Sequence, residues 1–155
     1  MNKTSVPVSL QFPLDVEDDW PPIGSEALPF DVTPGGLEAL VAPMFVKDLS
    51  AHDVLDIEKD EEGYVRSWKH RKRSDHSTIW LLRIAETDAI SACLESVRAL
   101  GCNTSSLEQF GCYSIDVPGS VSITKIDEAL SDLPEDEVAI AYPSMRHPDE
   151  GLEDG

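Results

Sequence analysis

The chain has 155 residues and a mass of 17.0 kDa, with 30 Asp+Glu against 12 Lys+Arg, a formal net charge of −18 at pH 7 and a sequence pI near 4.3. Such a field repels nucleic acid and anionic membrane and attracts cationic partners. The length allows one domain or two very small ones, and 41% hydrophobic residues suffice for a packed core.

The start, Met-Asn-Lys-Thr-Ser-Val-Pro-Val, lacks the continuous apolar stretch of a signal peptide. Val6, Val8, Leu10, Phe12 and Leu14 then alternate with other residues, which predicts a half-buried strand; Pro7 and Pro13 push it toward a sheet edge. Asp15 to Pro22 reads as an acidic turn region ending in Trp20-Pro21-Pro22. Glu26 to Val32 and Leu37 to Val41 are extended candidates separated by the turn signal Pro34-Gly35-Gly36. Val54, Leu55 and Ile57, the turn Asp60-Glu61-Glu62-Gly63, and Tyr64, Val65 and Trp68 predict a β-hairpin. Thr78 to Ile84 is the most apolar stretch, and its β-branched and aromatic content predicts a central strand with Trp80 in the core.

The period changes after that. Thr87 is a good N-cap, Ile90, Cys93, Leu94, Val97 and Leu100 follow at helical spacing, and Gly101 is a suitable stop. Cys112 to Val117 alternates again, optionally preceded by a short strand, with Tyr113, Ile115 and Val117 on one side. Ile123, Ile126, Leu130 and Leu133 mark a second helix ended by Pro134, and Val138, Ile140 and Tyr142 a last strand. The three cysteines, Cys93, Cys102 and Cys112, are an odd count that fits no closed disulfide framework, and their spacing resembles no zinc-ligand pair. No apolar run approaches the ~20 residues needed to span a bilayer. The expectation is an α+β protein of the reduced cytoplasm. A small antiparallel β-barrel-like part would cover residues 1–76, a ferredoxin-like βαβ-type sandwich 77–147, and an acidic disordered tail 148–155.

Certain segments resemble the bacterial domain of unknown function 4265 family. They are Trp20-Pro21, Ser25-Glu26-Ala27-Leu28, Ala42-Pro43-Met44-Phe45 before Leu49, Asp53-Val54, Ser77-Thr78-Ile79-Trp80, Leu100-Gly101-Cys102 and Asp116-Val117-Pro118. The resemblance implies a bacterial source and the two-part architecture. It implies no activity and no catalytic residue; some acidic proteins of this kind look like immunity proteins that neutralise toxins.

Two sets of side chains are candidates for contact with a partner. Asp18 and Asp19 belong to one acidic cluster; Asp56, Glu58, Asp60, Glu61 and Glu62 form another, with Asp56 and Glu58 alternating with Leu55 and Ile57 and so facing solvent. Fixed on a hairpin, these carboxylates imitate a phosphate row that Arg or Lys of a nuclease would meet. Tyr64 and Trp20 are the aromatic anchors of that surface, although Trp20 can equally pack against the first part. A bland alternative is a solubilising surface, yet solubility needs a net charge of only about 2–8 in a small domain.

The remaining candidate is basic. Arg66, Lys69, Arg71, Lys72 and Arg73 lie in one eight-residue run, so the other 147 residues carry 30 acids against 7 bases. The run reads as edge protection, as an internal partner of the acidic hairpin, as a contact with the toxin, or as an RNA patch with Trp68 interleaved. The overall field weighs against nucleic acid. Asp75-His76-Ser77 contains the residue types of a hydrolytic triad, but strand neighbours alternate faces and cannot readily meet. Cys112 has no basic neighbour to activate it. No metal or cofactor motif is present in the sequence. The expected function is therefore non-enzymatic: an immunity protein that binds a cationic toxin domain, a nuclease, one to one. The alternative is an RNA-associated module using residues 66–73. An enzyme centred on His76, Ser77 or Cys112 is the third class.

Overall fold

The structure, a computed structural model, describes residues 7–147; the expectations for Val6 and for the tail over 148–155 lie outside the described residues. The protein is α+β, with two antiparallel sheets. The chain divides into two compact units, one ending at Ser74 and the next starting at Asp75.

The first unit is a five-stranded sheet in chain order: β1 (Val8–Pro13), β2 (Ser25–Thr33), β3 (Gly36–Ala39), β4 (Val54–Lys59) and β5 (Val65–Lys72). Alternation places Leu10 and Phe12 of β1 and Leu28 and Phe30 of β2 on one buried face. Phe12 stacks on Phe30 at 5.9 Å between ring centroids, and Trp68 meets Phe12 edge-on at 6.2 Å. Gly36 is the tight point of the β2–β3 turn. Its φ is +138°, and a Cβ there would lie 2.8 Å from the Leu55 carbonyl oxygen, so only glycine fits. The sheet is not a closed barrel. Among the described residues, one isolated parallel bridge joins Gln11 of β1 to Tyr64, just before β5, and no ladder runs between β1 and β5.

The second unit runs β6 (Ser77–Arg83), α1 (Ala89–Ala99), β7 (Asn103–Leu107), a single 3-10 turn (Glu108–Phe110), β8 (Cys112–Val117), α2 (Ile123–Leu130) and β9 (Val138–Ser144). The sheet order is β7-β8-β6-β9, all neighbours antiparallel. Ile90, Cys93, Leu94 and Val97 of α1 and Ile123, Ile126 and Leu130 of α2 share a core with Ile79, Leu81, Tyr113, Ile115 and Val117.

Three local readings change. The N-cap of α1 is Asp88, whose side chain makes no cap hydrogen bond; Thr87, one residue earlier, still accepts from the Ala89 N–H through Oγ1 at 3.0 Å. Trp80 is partly buried on the face opposite Ile79 and Leu81, because strand neighbours alternate, and it is not part of the helix-side core. β8 is buried at all six positions instead of on alternate ones. It lies between β7 and β6, so its polar residues Ser114 and Asp116 are enclosed as well.

Candidate functional site

The β4–β5 hairpin carries most of the residues singled out in the sequence. Strand alternation does turn Asp56 and Glu58 away from the buried Leu55. The ladder has two irregularities, at Val54/Leu55 and Glu58/Lys59, which leave Arg71 and Arg66 without a directly opposed residue on β4. A bulge re-aims the side chain at that point. Arg66 Nη2 therefore donates to Glu58 Oε1 at 3.1 Å, and Arg71 Nε lies 3.1 Å from Asp56 Oδ1. Arg71 also donates to the Gly35 carbonyl, and Arg73 grips Asp48 with both terminal nitrogens, at 2.7 and 3.3 Å. The Arg66 hydrogen bond holds the Glu58 carboxyl below its ordinary range, with Ser67 and the Lys69 charge acting in the same sense.

Residues 54–73 hold five acids and six bases. The hairpin thus balances its own charge, and the run that resembles a nucleic-acid patch spends three arginines on internal ion pairs. Lys69 lies opposite Asp56, and Lys72 opposite Val54. At the tip, Asp60 Oδ1 accepts from the Glu62 and Tyr64 N–H groups, both at 2.9 Å, and so builds the turn. Glu61 and Glu62 are exposed there, and Tyr64 is 38% exposed.

The second acidic cluster sits on a tight turn. Glu17 and Trp20 exchange backbone hydrogen bonds of 2.9 and 3.0 Å across Asp18 and Asp19, whose φ values of 56° and 66° are left-handed. Short acidic side chains tolerate that conformation at a two-residue turn. Asp18 and Asp19 project into solvent. Trp20 follows them, 46% exposed, with its ring edge-on to Phe45 at 6.0 Å. It combines the two alternatives the sequence offers, being packed on one side and open on the other.

Several buried polar groups escaped the sequence reading. Glu26 shares the inward parity of Leu28 and Phe30, and a carboxylate at such a position was the available signal. Its two oxygens accept the Met44 and Phe45 N–H groups at 2.6 and 2.8 Å. Burial raises its pKa above the ordinary value against the lowering effect of those bonds. Asp53 is fully buried; it accepts from the Ser50 and Ser74 N–H groups and lies 2.9 Å from His70 Nε2.

In the second unit, His76 Nδ1 pairs with Asp116 Oδ1 at 2.7 Å, while Ser77 Oγ lies 2.7 Å from His147 Nδ1. Register places Asp116 opposite Thr78 and Ser77 opposite Val117. The Ser, His and Asp types thus fall into two pairs on different sheet faces and do not form one triad. Ser77 is fully buried, and its oxygen already accepts the Arg146 and His147 N–H groups. Burial pushes the Cys112 thiol up from its ordinary pKa, and Cys93 and Cys102 are raised further, to about 11 and about 12. A raised pKa disfavours the nucleophilic thiolate. Among the described residues, no group of three or more His, Cys, Asp or Glu is placed to hold a metal ion, and no helix is long and apolar enough to cross a membrane.

Most segments that carry the family resemblance meet in these networks: Glu26 with Met44-Phe45, Trp20 with Phe45, and Asp53 with His70. Pro118 takes part through its carbonyl, 2.9 Å from His147 Nε2. These contacts tie segments far apart in the chain to one another. No curated protein matches the chain. A solved structure described as "Novel crystal structure of a hypothetical protein from Neisseria gonorrhoeae" is similar with a TM-score of 0.69 at 14% identity, covering 94% of this chain and 98% of that one; at that identity the likeness shows the fold alone. Residues 33–141 match the model of the family described as "Domain of unknown function (DUF4265)", and the chain belongs to that family.

Proposed function

We propose that this protein is a non-catalytic bacterial immunity protein, acting in the cytoplasm, that binds a cationic toxin domain, a nuclease, one to one and occludes its active site. One observation carries the reading. Three arginines of the basic run are engaged by nearby acids, Arg66 and Arg71 within the hairpin and Arg73 by Asp48, and the run is too small to offset the excess of carboxylates over the whole chain. Asp18, Asp19, Glu61 and Glu62 are then the acids of the first unit best disposed for a partner, with Trp20 and Tyr64 as anchors. Asp56, Glu58 and Asp60 contribute after exchanging or keeping their internal bonds; exposed ion pairs hold weakly enough to be exchanged. Long-range attraction would raise the association rate and fall with salt, while affinity would rest on the aromatic centre. In fold terms we read the first unit as an open relative of a small barrel. We read the second as a split βαβ, ferredoxin-like unit, since α1 links β6 to β7 and α2 links β8 to β9 in the order β7-β8-β6-β9.

The test is affinity capture from the source bacterium, coupled to a protection assay against the toxin module encoded nearest the gene. Recovery of a basic toxin-like protein, with protection lost when Asp18, Asp19, Glu61 and Glu62 are neutralised together, is expected. Capture of no such protein and no protection would overturn the reading. An RNA gel shift at low salt that disappears when Arg71, Lys72 and Arg73 become Ala would favour the RNA-associated module instead.

A further inference from the structure

Among the described residues, the two sheets present four edge strands, and they are protected unequally. An edge strand offers unpaired main-chain groups to any extended segment, and proteins blunt it with charge, proline or brevity. β5 carries Arg66, Lys69, Arg71 and Lys72. β1 is bracketed by Pro7 and Pro13. β7 is a five-residue polar strand, Asn103–Leu107. β9, Val-Ala-Ile-Ala-Tyr-Pro-Ser, runs for seven residues without a charged side chain, and its blunting features, Pro143 and the ladder irregularity between Ala141 and Ser144, are confined to its far end.

Its register shows which groups face outward. Arg83 donates its N–H to Gly111, on the β8 side, so alternation turns Leu82 and Trp80 toward β9 and pairs them with Ala139 and Ala141. The N–H and C=O of Ile140 then point away from the sheet, whereas the Val138 N–H, outward by the same alternation, is taken by the Pro134 carbonyl. Ala139 and Ala141 are exposed and small, and Tyr142 is 48% exposed, so side chains leave the strand open to approach. Pro143 comes only after these positions. Acids line the approach: Glu135, Asp136 and Glu137 immediately precede the strand. Asp127 on α2 lies close enough to Tyr142 for its charge to add to burial in raising the tyrosine pKa.

We infer that the β9 edge is a docking site for an extended basic segment of a protein partner, which adds as a further strand and places Lys or Arg side chains against the acids beside it. Main-chain bonds would supply affinity and the acidic border the choice of sequence. A second copy of this chain is disfavoured as the occupant, since each copy brings a part from Asp75 onward with 16 acids and 4 bases. The inference rests on the partner being cationic, as proposed above, and not on its being a toxin.

The experiment uses the full chain and a short synthetic peptide of alternating lysine and valine, with an alternating glutamate–valine peptide as control. Amide chemical shifts and hydrogen exchange are followed by NMR. The expected result is shift changes along Val138–Ser144 and slowed exchange at the Ile140 amide with the lysine peptide only, weakening with salt. Ile140→Pro removes the outward N–H and should weaken binding about tenfold, as loss of one well-formed hydrogen bond does. Asp127→Asn should weaken it less. If the proline variant fails to fold, the contrast between peptides and the map of shifts on the native chain still decide. Overturning results are shifts confined to the β4–β5 hairpin, equal response to both peptides, no response, or an Ile140 amide already protected by self-association. A captured basic toxin that perturbs only the hairpin would sink this inference and leave the functional reading standing.

Discussion

The two units use charge in opposite ways. Up to Ser74 the chain has 14 acids and 8 bases; from Asp75 onward it has 16 and 4. The first unit spends its charges on itself, through Arg66–Glu58, Arg71–Asp56, Arg73–Asp48, His70–Asp53 and the Glu26 carboxylate under the Met44–Phe45 backbone. In the second, the core is made by two helices on a sheet, and the acids gather in its loops and on α2. A sheet packed on one small cluster has few apolar contacts to spare and ties its loops down with polar bonds. A helix-covered sheet closes its core with one enclosed carboxylate, Asp116 beside His76, and most of its other acids stay at the surface. The stretch that looks most functional in the sequence is therefore the most self-satisfied one, and the excess negative field comes mainly from elsewhere.

The contrast can be tested by removing one support at a time. The largest effect should come from Phe30→Ala, which empties the centre of the first core: a loss of about 3–5 kcal/mol in urea unfolding followed by Trp68 fluorescence. A loss below 1 kcal/mol, on the same cavity argument, would mean that this aromatic cluster is not what holds the sheet. Asp53→Ala should come next, at about 2–4 kcal/mol, because it strands His70, the buried Ser50 N–H and the partly buried Ser74 N–H at once. An equal loss in Asp53→Asn would show that charge, more than hydrogen bonding, is at stake.

Glu26 gives a smaller, pH-dependent effect. Its folded pKa is raised above the ordinary 4.5, chiefly by burial, so the folded state binds the proton more tightly than the unfolded one. Stability from this group should rise as pH falls through its folded pKa toward 4.5, and that contribution should be absent in Glu26→Gln. Denaturant midpoints of both proteins across that window would check it; identical pH slopes would refute it. The smallest effect should be Arg71→Ala, within about 1 kcal/mol, since its pair with Asp56 is half exposed. The same variant should make the hairpin more acidic and strengthen binding of a cationic probe at low salt, as titration calorimetry would register.

Much of the architecture was legible because period and turn chemistry are local. The Asp60–Gly63 turn, the helices carrying Ile90–Val97 and Ile123–Leu130, and the strand at Ser77–Arg83 all follow from side-chain spacing alone. β7 was legible only as an option, because Asn-Thr-Ser-Ser-Leu has no apolar alternation and is held as a strand by its pairing to β8. The site was less legible. Arg66 and Arg71 reach Glu58 and Asp56 through ladder irregularities, which depend on how two strands match in length. Glu26 and Asp53 have inward parity, but their partners are backbone groups at least three and up to 21 residues away, which no spacing rule identifies.

The amino-acid order by itself determined the net charge, the α+β succession of elements, the apolar faces and the crowding of five basic residues into one run, since each is a property of neighbours along the chain. Only the tertiary structure decided which charges cancel, which carboxylates are enclosed and which strands lie side by side. Those outcomes depend on distances of a few ångströms between segments far apart in the chain, and Coulomb attraction and hydrogen bonding act only once folding has brought the groups together.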